Sequence, residues 1–168
     1  ILGDVILNKR EMERWFEMGA TASYFSYKTE DREIENSSLF GGVTISSGFM
    51  REDIGVGFIS EFGHLDLAIN QESTEDRKVY GAYGMIGPTF RYSLNRVSTF
   101  HMDFMAGISD LNSIDVMGVA RIGLNFKILK RGFFDINYGV NYLGLKDMGD
   151  GMSSSYNGTV GASFGYRF

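Results

Sequence analysis

The chain has 168 residues, the length of one domain rather than two. It contains no cysteine, which excludes disulfides, a thiolate nucleophile and a cysteine metal site. Its net charge of -5 argues against binding to nucleic acid, whose phosphates require a basic surface. No apolar run approaches the roughly 18 residues of a membrane-spanning helix, so a helical membrane protein is excluded as well.

Residues 1–14 show no alternation of apolar and polar side chains. We predict a flexible segment or a short helix there, followed by one domain over residues 15–168. An amphipathic piece that caps the domain or lies on a membrane surface is the alternative. The segment does not begin with basic residues followed by a long apolar run, so we expect a mature or trimmed chain without its targeting segment.

From Trp15 onwards, apolar residues alternate with small or polar residues through eight segments. A period of two is typical of strands with one apolar face. A strand of about ten residues with an apolar outer face and a small or polar inner face is the unit of a transmembrane barrel. The predicted strands span residues 15–24, 39–48, 54–70, 80–92, 100–109, 116–128, 134–142 and 156–168.

Two positions disturb this pattern. In the third segment, apolar residues have even numbers at Val56 and Phe58 but odd numbers at Leu65 and Leu67, so we predict a β-bulge within residues 60–63. Pro88 lacks the N–H that a ladder position donates, so we expect it at a bulge or on an irregular stretch.

The connections between these segments alternate between long and short. This alternation is typical of an outer-membrane barrel, with long external loops on one rim and short turns on the periplasmic rim. Both ends of the barrel, and segment 1–14 with them, would then lie on the periplasmic side. Each long loop carries a net negative charge, which predicts a solvated rim that divalent cations could bridge to lipopolysaccharide. The long loops are residues 28–37, 71–77, 110–115 and 144–155.

We therefore predict an all-β fold: an eight-stranded antiparallel up-and-down transmembrane β-barrel, closed by pairing the first strand with residues 156–168. A soluble lipocalin-like barrel is the alternative, but its bulky side chains would have to fill a narrow interior. Aromatic girdles should mark the two membrane interfaces. They should comprise Tyr24, Tyr27, Tyr80 and Tyr156 on the external side, and Phe16, Phe49, Tyr92, Phe100, Phe126, Phe134, Tyr166 and Phe168 on the periplasmic side.

The last segment carries a further signal. Residues 156–168 alternate aromatic and small side chains, pass through Phe164 and Tyr166, and finish on Phe168. This pattern resembles the terminal strand of small outer-membrane β-barrel proteins of the OmpA/OmpX type from Gram-negative bacteria. The resemblance implies an integral protein of the outer membrane in contact with lipid and lipopolysaccharide. It also implies that Phe164, Tyr166 and Phe168 form the assembly signal read by the barrel-assembly machinery.

Two His-x-Asp pairs are the main candidates for chemistry. His64 with Asp66, and His101 with Asp103, each place an imidazole and a carboxylate on one face of a strand, as acid–base catalysis requires. At about 3.3 Å per residue the two pairs differ in height by roughly 15 to 20 Å, so they cannot form one site. We expect them to make hydrogen bonds inside the barrel.

The remaining enzyme motifs are weak. Omptin-type proteases use acidic and histidine residues at the external rim of a larger barrel, and the neighbouring His and Ser of lipid A deacylases do not occur here. Asp147 to Gly151 could hold calcium, but a glycine-rich turn explains this segment better. We predict no enzyme activity, no cofactor and no metal.

The strongest site prediction concerns the barrel interior. Nine ionisable residues should face it, because their odd or even positions place them on the polar side of their strands. We expect Arg167 between Glu17 and Asp135, Lys127 beside Asp135, and Arg91 beside Asp103. Buried charges need partners, so one connected ion network should plug the lower half of the lumen. Its members are Glu17, Glu61, Arg91, His101, Asp103, Arg121, Lys127, Asp135 and Arg167.

The leading functional interpretation is an outer-membrane barrel with a plugged polar lumen. Its external loops would serve a structural role or bind an extracellular ligand. A narrow channel for small or hydrophobic molecules is the alternative. A lipid-modifying enzyme and the translocator domain of a larger secreted protein remain further alternatives.

Overall fold

The computed structural model describes residues 12–29, 32–69, 77–109, 114–128, 130–145 and 155–168. Its regular structure is entirely β-strand in these ranges. The eight strands are β1 Glu13–Thr29, β2 Arg32–Arg51, β3 Ile54–Ile69, β4 Arg77–Ser93, β5 Ser98–Ser109, β6 Ile114–Ile128, β7 Gly132–Leu145 and β8 Ser155–Arg167.

The strands form one closed antiparallel barrel. Each strand pairs with the next in sequence, and β8 pairs with β1 from Arg167 opposite Glu17 to Thr159 opposite Phe25. Closure gives the first and last strands a partner on both sides, which matters in lipid because the bilayer core offers no hydrogen-bonding groups. The predicted fold class, an eight-stranded antiparallel up-and-down barrel, is confirmed.

The outer wall of the barrel is apolar. Side chains at alternate positions of every strand point outward, and large apolar ones such as Phe58 on β3, Ile86 on β4 and Phe104 on β5 are exposed. Among the described residues, no helix is long and apolar enough to cross a membrane.

The expected girdle residues lie on this outer wall wherever their side chains are described. Tyr24 and Tyr156 are exposed towards one rim. Phe100 and Phe126 are half-buried on the outer wall near the other rim. The exposed members near that rim are Phe16, Phe49, Tyr92, Phe134, Tyr166 and Phe168. The side chains of Tyr27 and Tyr80 lie outside the described residues.

Strand length differs between the two halves of the barrel. Strands β1 to β4 have 16 to 20 residues, whereas β5 to β8 have 12 to 15. About 9 to 11 tilted residues are enough to cross a bilayer, so the strands of the β1–β2 and β3–β4 hairpins are longer than a crossing requires. The predicted loop 28–37 was therefore too long, because β1 runs to Thr29 and β2 begins at Arg32. The predicted loop 71–77 differs by one residue at each end, since β3 ends at Ile69 and β4 begins at Arg77. Alternation fades there because both faces of a strand outside the membrane can meet water.

The amino-terminal boundary also shifts slightly. Strand β1 begins at Glu13, two residues before the predicted start at Trp15. Residues 1–11 of the predicted amino-terminal segment lie outside the described residues, so the flexible or helical form expected for them remains a prediction.

The predicted bulge in β3 was wrong. Register with β2 and β4 runs without a shift through residues 60–63. As a result Leu65 points inward and is completely buried, and His64 points outward. The assumption that failed was that every large apolar side chain faces lipid, since the interior has an apolar layer of its own.

Pro88 interrupts hydrogen bonding without shifting the strand. Pairing of β4 with β5 lapses at Gly87 and Pro88 but resumes in the same register, with Ile86 opposite Ala106 and Thr89 opposite Asp103. On the other side Pro88 stays opposite Phe58. The missing N–H therefore leaves a local gap in one ladder rather than a bulge.

Candidate functional site: the filled interior and the long hairpins

Eight of the nine ionisable residues assigned to the lumen point into the barrel interior and make contacts there. Glu17, Glu61, Asp103, Arg121 and Asp135 are buried, as are Arg91 and His101. The Arg167 side chain lies lower, near the rim that carries the three short turns, and is 34% exposed. We call this rim the short-turn rim, and the opposite one the hairpin rim.

The first ion cluster is centred on Glu17. Arg91 Nη2 lies 2.6 Å from Glu17 Oε2, and Arg167 Nε donates to Glu17 Oε1 at 2.7 Å. Arg91 Nη2 also donates to Ser46 Oγ at 2.9 Å. Two guanidinium groups on one carboxylate give this cluster one excess positive charge.

The second ion cluster is centred on Arg121. Its Nη1 donates to Glu61 Oε2 at 2.8 Å, and its Nε donates to Asp103 Oδ2 at 2.8 Å. The two carboxylates have further donors, because Thr89 donates to Asp103 at 2.6 Å and Tyr83 donates to Glu61 at 2.8 Å. Such additional hydrogen bonds are what allow buried ions to offset their desolvation.

His101 extends the second cluster towards β7. Its Nδ1 lies 3.1 Å from Asp103 Oδ2, and its Nε2 lies 2.6 Å from Asp135 Oδ2. A neutral imidazole has only one N–H, so two carboxylate partners require the doubly protonated ring. Asn137 donates to the other Asp135 oxygen at 2.9 Å. With His101 charged, the cluster has three anions and two cations, which complements the excess positive charge around Glu17.

Several details of the predicted network were wrong. Lys127 is exposed at the short-turn rim and has no ion pair among the described residues. Arg91 pairs with Glu17 across the lumen rather than with Asp103, and Asp135 pairs with His101 rather than with Arg167 or Lys127. The contacts form two clusters instead of one network, since no ion pair or hydrogen bond joins them in the described part of the chain. The prediction considered neighbouring strands only, whereas an arginine can reach across a narrow barrel.

An indole ring closes the interior towards the short-turn rim. Trp15 is buried, and the Arg91 guanidinium carbon lies 4.7 Å from the centre of its ring. Glycines leave the space that this ring occupies. A Cβ added at Gly55 or Gly57 would approach a ring carbon to 2.9 or 2.8 Å, closer than van der Waals contact permits.

An apolar layer closes the interior towards the hairpin rim. Phe25 stacks on Phe40 at 4.7 Å between ring centres, and Tyr83 meets Phe40 edge-on at 5.2 Å. Full burial of each large apolar side chain contributes about 1.5–3 kcal/mol. The layer consists of Phe25, Phe40, Ile59, Leu65, Tyr83, Met85, Met105, Met117, Val119 and Leu143.

Little open volume remains between these layers. The cavity among the ion clusters, lined by Glu17, Arg91, His101 and Arg121 among others, measures about 30 Å³. A cavity of this size has room for only a few water molecules. The described inward-facing side chains thus lie in three tiers: an indole floor, an ionic middle and an apolar roof.

Sequence reasoning missed the floor and the roof. It placed bulky side chains on the lipid face and small or charged ones inside, and so left Phe25, Tyr83 and Met105 unassigned. Parity was the available signal, since all three share the inward-facing odd positions of their strands. Applied without regard to polarity, it would have assigned each of them to the interior.

The two histidines lie on opposite faces of the wall. His101 is in the second ion cluster, whereas His64 is exposed on the outer surface, so its predicted role in lumen hydrogen bonding was wrong. The Asp66 side chain and the Asp147 to Gly151 segment lie outside the described residues. In the part of the chain that is described, no group of three or more His, Asp or Glu side chains is placed to hold a metal.

Comparison with known proteins gives structural relatives only. No protein-family model matches the chain, and no curated protein sequence matches it significantly. Its structure is similar to that of Ail, the attachment invasion locus protein of Yersinia pestis, with a TM-score of 0.54 and 21% identity over 94% of this chain and 99% of Ail. Ail in complex with the heparin analogue sucrose octasulfate gives a TM-score of 0.51 and 19% identity over the same shares of the two chains.

A second relative is Neisserial surface protein A. It matches with a TM-score of 0.51 and 14% identity over 90% of this chain and 95% of its own. At these identities the similarity concerns the fold. The chain shares with these two bacterial proteins a closed eight-stranded antiparallel β-barrel, which here has an apolar outer wall.

Proposed function

We propose that the protein is a closed scaffold in the outer membrane that presents its two long hairpins for surface interaction. The observation that supports this proposal is the three tiers of buried side chains, of which the ionic middle surrounds a cavity of about 30 Å³. A solute path would require these buried side chains to separate. The filled interior therefore favours a role at the external surface over a narrow channel.

The long hairpins supply a surface for that role. Strands β1 to β4 are consecutive in the barrel, and the β1–β2 hairpin continues past the last β2–β3 pair, Ser38 opposite Leu67. Backbone pairing reaches Lys28 opposite Glu35 and Thr29 opposite Arg32. A hairpin held by backbone pairing has an ordered backbone before it binds, which reduces the entropy lost on binding.

Charge indicates the kind of partner. The Ail relative has been solved with a heparin analogue, which is a polyanion. In this chain, residues 28–35 contain Glu30, Asp31, Glu33 and Glu35 but only two basic residues. We therefore propose a basic partner surface, or lipopolysaccharide bridged through divalent cations, rather than a sulfated polyanion.

Neutralising these four acids tests the proposed partner chemistry. Purified protein in nanodiscs is passed over an immobilised lysine-rich peptide and over immobilised heparin. We expect the unmodified protein to bind the peptide. Replacing the four acids by Gln or Asn should lower the affinity about tenfold, because each exposed charge pair contributes about 0.3–0.5 kcal/mol.

Shortening the hairpin provides a second test of where the peptide binds. Replacing residues 28–35 by Asn-Gly joins Tyr27 to Asn36, which are already opposite each other, through a two-residue turn that suits a hairpin. This variant should fold and lose peptide binding. Binding of the unmodified protein to heparin, or peptide binding that survives removal of the hairpin, would contradict the proposal.

The terminal strand predicts an effect on assembly. We propose that Phe164, Tyr166 and Phe168 are recognised by the barrel-assembly machinery. The Phe168 ring lies 5.5 Å from that of Phe16 and 5.0 Å from that of Tyr166, but it is 68% exposed. One such aromatic contributes at most about 1–3 kcal/mol to the fold. Phe168→Ala should therefore reduce assembly in cells while refolding into detergent stays comparatively intact.

Phe62→Ala is the control for this prediction, because Phe62 is also an exposed outer-wall phenylalanine but lies on β3. The amount of folded protein in isolated outer membranes should fall for Phe168→Ala and not for Phe62→Ala. Equal assembly of both variants would count against a signal at Phe168.

A further inference from the structure

The short-turn rim has an excess of exposed positive charge. Its exposed acids, Glu13, Glu52 and Asp53, lie at the start of β1 and in the β2–β3 turn, away from the β6–β7 turn. Its exposed cations are Arg14, Arg51, Arg96, Lys127, Lys130 and Arg131. Two of them, Lys130 and Arg131, are adjacent in the β6–β7 turn.

An open groove of about 790 Å³ on the outer wall meets this cation pair. Ala20 on β1 lies opposite Val43 on β2 and opposite Phe164 on β8, so a methyl group is flanked by two larger side chains. Met18 and Tyr166 line the groove closer to the turn, where Lys130 and Arg131 complete it. The groove is thus apolar along the wall and cationic at its lower end.

Arg131 is held against the wall at that end. Its Nη1 donates to the Tyr166 hydroxyl at 3.2 Å, and the backbone N–H of Arg167 donates to the Arg131 carbonyl at 2.7 Å. Neither Lys130 nor Arg131 forms an ion pair with any residue in the described ranges. Two adjacent exposed cations beside an apolar groove have the charge pattern that complements a lipid with an anionic headgroup.

We propose that this groove binds one anionic glycerophospholipid of the leaflet that faces the periplasm. The phosphate would lie between Lys130 and Arg131, and one acyl chain would lie along Ala20 between Val43 and Phe164. This proposal rests on the proposed function, because the short-turn rim faces the periplasm only in a barrel that spans the outer membrane. Lipid A also carries phosphates, but it belongs to the opposite leaflet.

Spin-labelled lipids test the site in nanodiscs of phosphatidylcholine. The probes are labelled phosphatidylglycerol, phosphatidylcholine and lipid A, and the measured quantity is the fraction of motionally restricted label. The unmodified protein should retain phosphatidylglycerol at least tenfold more strongly than phosphatidylcholine, since each cation near the membrane surface contributes about fivefold. Lys130→Gln/Arg131→Gln should abolish this preference.

Two controls separate the groove from general rim charge. Arg51→Gln/Arg96→Gln removes two cations from other turns of the same rim and should leave the preference intact. Ala20→Phe fills the groove without changing charge and should reduce retention of phosphatidylglycerol to that of phosphatidylcholine. The proposal is overturned by equal retention of the two phospholipids in the unmodified protein, by stronger retention of lipid A, by equal loss in both charge variants, or by no effect of Ala20→Phe.

Folding is followed in the same samples by the heat-modifiable electrophoretic mobility of the barrel. An inserted, folded barrel without lipid preference overturns the lipid site alone. Failure of the unmodified protein to insert as a folded barrel would instead overturn the proposed function.

Discussion

Arg121→Met should lower the free energy of unfolding by about 3–5 kcal/mol, the usual effect of removing one partner from a buried ion cluster. The guanidinium of Arg121 lies between Glu61 and Asp103, and all three side chains are buried. Methionine fills similar space but leaves two carboxylates without their shared cation. Urea unfolding in lipid vesicles measures the change, with the intrinsic fluorescence of Trp15, the single tryptophan of the chain, as the probe.

Two further variants serve as comparisons for this prediction. Arg121→Met/Glu61→Gln/Asp103→Asn removes the two carboxylate charges as well and should recover much of the lost stability. Arg167→Ala should also lower thermal stability, but only by about 1 kcal/mol, because its side chain is 34% exposed and Glu17 keeps Arg91 as a partner. If Arg121→Met were no more destabilising than Arg167→Ala, the central role assigned to the second cluster would be wrong.

Trp15→Ala should lower the free energy of unfolding by about 3–5 kcal/mol, the usual range for truncating a buried aromatic side chain. The ring fills the space left by Gly55 and Gly57, and it stacks under the Arg91 guanidinium at 4.7 Å. Its removal leaves a cavity at the short-turn rim and exposes the first ion cluster to water from that side. The measurement is the temperature at which the folded, faster-migrating band is lost, since this variant has no tryptophan to follow.

Trp15→Phe is the matched variant, because a phenyl ring keeps part of the packing and the contact with Arg91. Its melting temperature should lie between those of the unmodified protein and Trp15→Ala. Unchanged stability of Trp15→Ala would show that the floor contributes nothing to closing the barrel.

The fold was predictable from the sequence because the outer wall follows one simple rule. Lipid selects apolar side chains at every second position, so residues such as Phe100, Met102 and Phe104 repeat regularly, and closure follows from the cost of unpaired backbone groups. The strand ends were less predictable. Beyond the membrane that selection stops, so the continuation of β1 to Thr29 left no alternation to read.

The interior was only partly predictable, for a different reason. Parity identified the inward-facing charges, but their partners depend on which side chains can meet across the lumen, as Arg91 and Glu17 do. The distance between two side chains across the lumen depends on the diameter and register of the closed barrel, and the spacing of residues along the sequence does not give either. His101 illustrates this point, since its sequence neighbour Asp103 was the visible partner while Asp135, 34 residues away, also holds it.

The roof was missed because one polarity rule was applied to the whole interior. Leu65 was assigned to lipid on the strength of its apolar side chain, although the uninterrupted parity of β3 places it inside. An eight-stranded barrel is narrow enough for side chains to fill it, and both polar and apolar fillings are compatible with that geometry.

Planar-bilayer recording of the purified barrel tests the central claim that its interior is closed. Because buried side chains form the floor and the roof and the cavity among the ion clusters measures about 30 Å³, the unmodified protein should show no large, stable ionic conductance. Trp15→Ala in the same recordings shows whether removing the floor alone is enough to open a path. A steady wide-pore conductance in the unmodified protein would contradict the filled interior and would make transport through the lumen the better account of its function.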